Sequence, residues 1–189
     1  MKYRQHRAKW QDCRRCSLHE QRHHVVLARG KLPCDFLIIG EAPGRSEDCL
    51  GRPFIGPAGK LLDRLIEQAW DGQYDYAITN LVGCIPLDNN NTKTAEPPEE
   101  AIKACEKRLE ELVKISRATV LIKVGKLAEQ HVDFFDIPSV AIVHPAAILR
   151  MDVSQQGLAI QRAIVALEGA MDLLEAIREK PRRRKTVHG

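Results

Sequence analysis

The chain has 189 residues, of which 44% are hydrophobic, and a formal net charge of +4. This length is sufficient for one domain with its own core, and so small a net charge does not identify a polyanionic partner. No apolar run reaches the roughly 18 residues that cross a bilayer. The basic N-terminus is not followed by the apolar stretch of a secretory signal. We therefore expect a cytoplasmic protein, without a membrane partner, in a reducing compartment.

Short apolar runs alternate with helical patterns along the chain. Strands are predicted at residues 36–39, 76–79, 119–124 and 140–143. Helices are predicted at residues 58–70, 98–115 and 155–180. This alternation favours the α/β class, as a three-layer α/β/α sandwich around a central, mainly parallel four-stranded sheet. Residues 1–180 are expected to form one domain, and residues 181–189 a basic C-terminal tail.

Polar groups follow three of the predicted strands directly. These groups are Glu41 after Gly40, Asn80, and His144. In open parallel sheets, ligands bind beyond the carboxyl ends of the strands. The sequence therefore predicts a site formed by these strand ends.

The segments around these residues carry longer motifs. GEAPG occupies 40–44, ED 47–48 and GRPFIGPAG 51–59, while AITN stands at 77–80 and HPAAILR at 144–150. The first turn alone indicates only a close backbone approach to a ligand, because it lacks the GK[ST] ending of a phosphate loop. Together the motifs resemble the uracil-DNA glycosylase superfamily, specifically its iron–sulfur, thermophile-type branch (family 4). The resemblance covers about residues 10 to 175.

The resemblance implies an enzyme of base excision repair that flips uracil out of single- or double-stranded DNA and hydrolyses its N-glycosidic bond. Glu41 and His144 would be the catalytic residues. The substrate-binding residues would be Gly40, Ala42, Glu47, Phe54, Asn80 and Asn89. Phe54 would stack on the base, and Asn80 would read its edge. His144 would bond uracil O2, and Glu41 would orient water or steady the sugar cation.

The HPAAILR motif at 144–150 would contact the DNA. Ile148 and Leu149 would enter the gap left by the flipped base, and Arg150 would bind phosphate. The resemblance also implies a monomer associated with the nucleoid through DNA, or a viral protein in a bacterial host. A replication or repair protein is a further possible partner.

The six cysteines are not expected to form disulfides in a reducing compartment. Cys13 and Cys16 form a CxxC pair, and Cys84 and Cys105 stand where the family holds its other two ligands. The resemblance therefore implies a 4Fe–4S cluster. Zinc, or buried cysteines beside an isolated CxxC, are alternatives that the residue types alone leave open. We expect Cys34 and Cys49 to be packing residues, and His19, His23 and His24 to lie at the surface.

Three features depart from the family pattern. The chain has CIPL at 84–87 where CRPP is usual, with a long loop after it. Segment 125–144 is short and lacks a basic loop, and Ala146 replaces a serine. One alternative is therefore a weak or inactive glycosylase-fold accessory protein of replication. Another is a sister branch that traps DNA covalently or removes other deaminated bases.

Overall fold

The structure is a computed structural model that describes residues 1–88, 90–132 and 135–179. The helices are α1 (Tyr3–Trp10), α2 (Arg45–Leu50), α3 (Pro57–Trp70), α4 (Glu99–Ser116), α5 (Lys126–His131), α6 (Pro145–Ile148) and α7 (Val153–Glu179). The strands are β1 (Ala28–Gly30), β2 (Phe36–Gly40), β3 (Tyr76–Asn80), β4 (Val120–Val124) and β5 (Ser139–Ile142). A 3₁₀ turn covers Ser17–Glu20.

The described strands form one five-stranded sheet in the order β1-β3-β2-β4-β5. Strands β2 to β5 are parallel, which confirms the predicted α/β class and the mainly parallel sheet. The predicted count of four strands is wrong, because β1 adds an edge strand antiparallel to β3. Strand β1 has only three residues, too few to show alternation, and it depends on pairing with β3.

The sheet is covered on both faces. Leu37 and Ile39 of β2 pack in one core cluster with Leu109 of α4. The alternate residues Phe36 and Ile38 pack in the other cluster, which contains the buried side chains of α3 and α7. Both faces of β2 are therefore apolar, which explains its continuous hydrophobic run.

The long predicted helices are present, with ends shifted by a few residues, whereas α1, α2, α5 and α6 were not predicted. None of these four exceeds eight residues, so each offers too little periodicity to be recognised. No helix of the described ranges is both long and apolar enough to span a membrane. The predicted tail at 181–189, residue 180 and Asn89 lie outside the described residues.

Candidate active site

The carboxyl ends of the parallel strands open into one cleft of about 1000 Å³. Glu41, Asn80 and His144 line this cleft, and so do Phe54 and Arg150. The sheet register sets part of this arrangement, since Gly40 at the end of β2 is paired with Asn80 at the end of β3. The parallel topology thus brings together side chains that are far apart in sequence.

Gly40 lies directly against Phe54 and Asn80, two of the residues that line the cleft. A Cβ built on it would lie 2.5 Å from Phe54 Cε2 and 2.6 Å from Asn80 Oδ1. No side chain fits at these distances. The aromatic ring and the amide can therefore both lie against residue 40 only because it is glycine.

Phe54 is held in an unfavourable backbone conformation. Its φ is 52°, in the left-handed region that bulky side chains avoid. Arg29 of β1 donates from Nε to the Pro53 carbonyl (2.8 Å) and from Nη2 to the Phe54 carbonyl (3.1 Å). The ring faces the His144 ring at a centroid distance of 5.7 Å, tilted by 31°. The edge strand β1 thus helps to position the aromatic surface of the site.

Glu47 joins the ED segment at 47–48 to the GRPFIGPAG segment at 51–59. Its Oε1 accepts hydrogen bonds from the backbone N–H groups of Ile55 (3.1 Å) and Gly56 (3.0 Å). This contact fixes the loop after Phe54 to the first turn of α2. Of the other expected substrate-binding residues, Ala42 lines the cleft and Asn89 lies outside the described residues.

Asn80 presents a buried hydrogen-bond acceptor to the cleft. The residue is only 1% exposed. Its Oδ1 is buried and has no hydrogen-bond partner among the described residues. An unpaired buried acceptor is costly, and such an atom in a cleft indicates a ligand that donates to it.

His144 is neutral and its tautomer is fixed. Its Nδ1 accepts a hydrogen bond from the Ala146 N–H (3.1 Å) at the start of α6. Burial, assisted by the Arg150 charge, lowers the pKa of His144 to about 4. The proton of the neutral ring therefore resides on Nε2, which is left as a donor.

Glu41 lies beside His144 across Gly125. A Cβ on Gly125 would strike the Glu41 carboxylate and lie 3.2 Å from His144 Cβ, and the φ of Gly125 is +93°. Burial raises the pKa of Glu41, whereas the backbone N–H of Leu127 opposes this shift. The cleft thus holds a half-buried carboxylate next to a neutral imidazole.

The rim of the cleft differs from the sequence expectation in one residue. Ile148 is fully buried in the core cluster that contains α3 and α7, so it does not present a wedge for DNA. Leu149 is 41% exposed, and Arg150 is exposed and lines the cleft. Lys126, which also lines the cleft, was missed. Extending the strand-end rule to β4, which Lys126 follows after one glycine, would have found it.

The four motif cysteines line a second, smaller cavity. Cys13, Cys16, Cys84 and Cys105 converge there from the N-terminal segment, the segment after β3 and helix α4. Burial raises the pKa of Cys84 to about 12, and it also raises that of Cys16. In the part of the chain that is described, no three His, Cys, Asp or Glu side chains form a group that could hold a metal ion.

The remaining cysteines and histidines have separate environments. Cys34 is buried, but Cys49 is exposed, so the expectation of a packing role for Cys49 is wrong. His19 lines the cysteine cavity, and its Nδ1 lies 2.8 Å from the Cys16 carbonyl. The largely exposed His23 pairs through Nδ1 with Asp48 at 2.6 Å.

Comparisons with known proteins agree with this geometry. The family model described as the uracil DNA glycosylase superfamily matches residues 27–168. A type-4 uracil-DNA glycosylase of Archaeoglobus fulgidus is 31% identical over 161 residues, or 73% of this chain and 78% of the relative. The type-4 uracil-DNA glycosylase of Saccharolobus solfataricus is 38% identical over 60% of this chain and 51% of its own length. The type-4 uracil-DNA glycosylase of Thermotoga maritima is 39% identical over 61% of this chain and 58% of its own length.

The matched region contains every residue that lines the cleft, from Glu41 to Arg150. It extends over most of the chain, although the matches span only about half the length of some relatives. The chain belongs to the uracil DNA glycosylase superfamily.

Proposed function

We propose that this protein is a uracil-DNA glycosylase of the iron–sulfur branch, which acts as a monomer on uracil in single- or double-stranded DNA. The observation that carries the proposal is that the buried Oδ1 of Asn80, which lines the cleft, has no hydrogen-bond partner within the described part of the chain. Uracil presents an N3–H donor beside its O4 acceptor. An asparagine amide matches that pair, because its oxygen accepts and its nitrogen donates.

Discrimination against cytosine requires that this amide keep its oxygen directed at N3 of the base. Cytosine has an acceptor at N3 and a donor at the exocyclic amine, so it would leave the Asn80 oxygen unpaired and buried. A site that leaves its own polar group unpaired rejects the wrong substrate strongly. The Phe54 ring, beside Asn80 over Gly40, supplies a face on which the flipped base stacks.

Bond cleavage sends the electron pair of the glycosidic C–N bond onto the uracil ring, where negative charge develops at O2. The neutral His144 would donate from Nε2 to this oxygen, because its Nδ1 is already occupied by the Ala146 N–H. The N–H of a neutral imidazole is far too weak an acid to give its proton to the uracil oxygen, so the ring acts electrostatically. The uracil leaves as an anion.

The sugar becomes positively charged at C1′ in the same step. The Glu41 carboxylate lies on the other side of Gly125 from His144, and its negative charge would stabilise this cation and orient the attacking water. The water oxygen then bonds to C1′ and the water loses one proton to solvent, from which the uracil anion takes up a proton. Lys126 and Arg150 at the rim would bind phosphates, and Leu149 would enter the gap left in the base stack.

The cysteine cavity contains the four cysteines that the cluster of this branch needs, although among the described residues their thiols are not arranged as a metal-binding group in the structure. Four cysteines line one cavity, and thiolates are the ligands that iron–sulfur clusters take. Cys13, Cys16, Cys84 and Cys105 would hold the cluster, whose part is structural. It would tie the N-terminal segment to α4 and to the segment that follows Asn80.

The test is uracil release from an oligonucleotide with a single uracil, single-stranded or paired with guanine. The protein is purified anaerobically and its iron content is measured. Asn80→Ala should lower release at least about a hundredfold, whereas the exposed Asn90→Ala should match the unsubstituted protein. Retained DNA binding without release from either substrate would refute the proposal and favour an accessory DNA-binding protein.

A further inference from the structure

Arg108 is a fully buried charge that the proposed reaction does not use. It lies on α4, three residues after Cys105, and is 1% exposed. Its Nη2 donates to the carbonyls of Asn80 (2.6 Å) and Leu81 (2.8 Å). Its Nη1 lies 3.4 Å from the Thr79 hydroxyl. The guanidinium therefore holds the backbone of the residue that reads the base.

The other side of the same guanidinium borders the cysteine cavity. Arg108 lines that cavity together with Gly83 and the four cysteines. A Cβ on Gly83 would lie 3.4 Å from Arg108 Nε, and this Nε has no hydrogen-bond partner among the described residues. One side chain thus lies between the two cavities and touches the walls of both.

Among the described residues, Arg108 bonds the hydroxyl of Thr79 and the carbonyls of Asn80 and Leu81, which are all neutral, although the guanidinium is always charged. His6 supplies no negative charge. Its burial, and secondly the charge of Arg108, lower the pKa of His6 to about 4, so the ring is neutral at pH 7. The carboxylate of Glu111, one turn further along α4, bonds Lys9 and Trp10 Nε1. A buried cation requires compensating negative charge nearby, and hydrogen bonds to carbonyls supply only part of it.

We propose that Arg108 is a positioning residue that couples metal binding at the four cysteines to the orientation of Asn80. A cluster bound by four thiolates carries net negative charge, and at this place it would compensate the guanidinium. With its charge balanced, the guanidinium keeps its hydrogen bonds to the Asn80 and Leu81 carbonyls. These bonds position the Asn80 side-chain amide in the cleft. This inference rests on the proposed cluster and on Asn80 as the base reader.

The direct test compares the iron-loaded protein with chelator-stripped protein in three forms: unsubstituted, Arg108→Met and Lys107→Met. Methionine fills similar space without charge. Lys107 is the matched control, because it is an exposed cation on the same helix. Melting temperature is measured in each state, together with single-turnover uracil release and DNA affinity of the loaded forms.

Stripping should lower the melting temperature of the unsubstituted protein and of Lys107→Met equally. The loss should be at least about twofold smaller for Arg108→Met, since no buried charge is left uncompensated. Loaded Arg108→Met should release uracil about ten- to a hundredfold more slowly with DNA affinity unchanged, as expected when a reacting group is misplaced. Equal losses in all three forms, or unchanged release by loaded Arg108→Met, would overturn the coupling.

Backbone hydrogen exchange of the unsubstituted protein tests the coupling between the cysteines and Asn80 even if Arg108→Met does not fold. The N–H groups of Leu81 and Val82 bond the carbonyls of Gly40 and Glu41. Their exchange should accelerate on stripping, whereas exchange in β4 should not. Unchanged exchange at Leu81 and Val82 refutes the coupling, as does a folded protein that never binds metal. Absent uracil release with coupling intact would instead refute the glycosylase activity alone.

Discussion

The ring of Phe54 leaves no room for a side chain at Gly40. The ring atom Phe54 Cε2 lies 2.5 Å from where a Cβ of residue 40 would be. The aromatic floor of the cleft is thus created by a missing side chain at the end of β2. Because Phe54 is held by Arg29 through two carbonyls, the ring has little freedom to retreat.

Gly40→Ala should therefore abolish uracil release while the protein stays folded. The methyl group would displace both the Phe54 ring and the Asn80 amide, which is 2.6 Å from the same point. Release should fall at least about a hundredfold, since both base contacts are misplaced. Gly169→Ala in α7 is the control: nothing lies within 4 Å of its Cβ, and it should retain full activity. Normal release by Gly40→Ala would remove Phe54 and Asn80 from the base pocket.

The sequence predicts the parallel sheet well, because β2 is an apolar run and β4 is apolar except for Lys123, and helical patterns flank both. It also predicts which strand ends face the cleft, since that follows from topology. Burial of single residues is not predictable in this way. Ile148 and Leu149 are neighbours in one apolar pair, yet a four-residue helix turns the first into the core and the second outward. Arg108 reads as one more surface charge on a helix until its buried contacts are seen.

The acid limit of uracil release should be set by Glu41 and not by His144. Burial raises the pKa of Glu41 above its ordinary value of 4.5, and burial lowers the pKa of His144 from 6.5 to about 4. As the pH falls, Glu41 therefore loses its charge first, and only then does His144 become protonated. Single-turnover release measured from about pH 8 down to about pH 4 should fall with a midpoint above 4.5.

Glu41→Gln tests the assignment of this acid limit. The variant should be slower at all pH values, because the negative charge beside the sugar cation is lost. Its remaining activity should fall only near pH 4, where His144 takes a proton and its Nδ1 can no longer accept from Ala146. A midpoint unchanged from that of the unsubstituted protein would show that another group sets the acid limit.

Ile148→Ala should lower the stability of the fold, whereas Leu149→Ala should lower the rate of uracil release from duplex DNA. Ile148 is fully buried, so its truncation should destabilise the fold by about 2–5 kcal/mol in urea unfolding. Leu149 is exposed, and its truncation should change stability by no more than about 0.5 kcal/mol. Leu149→Ala should instead slow release from duplex more than from single strands, because only a duplex leaves a gap to fill. Equal slowing on both substrates would contradict a wedge role.

Glu47 substitutions should give a graded loss of activity. Glu47→Ala removes the acceptor for both Ile55 N–H and Gly56 N–H, so the loop after Phe54 should loosen and the rate should fall. Glu47→Gln keeps a neutral oxygen at the same position and should lose less, since hydrogen bonds to a neutral acceptor are weaker than to a carboxylate. Single-turnover release of the two variants checks this order. Equal activity of Glu47→Ala and the unsubstituted protein would show that the loop needs no brace.

Arg150 and Lys126 are the cations at the rim of the cleft, and each should account for one phosphate contact. Arg150→Gln or Lys126→Gln should reduce the slope of log affinity against log salt by about 0.9 in binding to duplex DNA. The exposed Arg162→Gln in α7 should leave the slope unchanged. Arg150→Gln should also raise the pKa of His144, because the Arg150 charge contributes to lowering it. A smaller slope without that shift would place Arg150 on the DNA but away from the His144 ring, whereas an unchanged slope would remove it from the DNA interface.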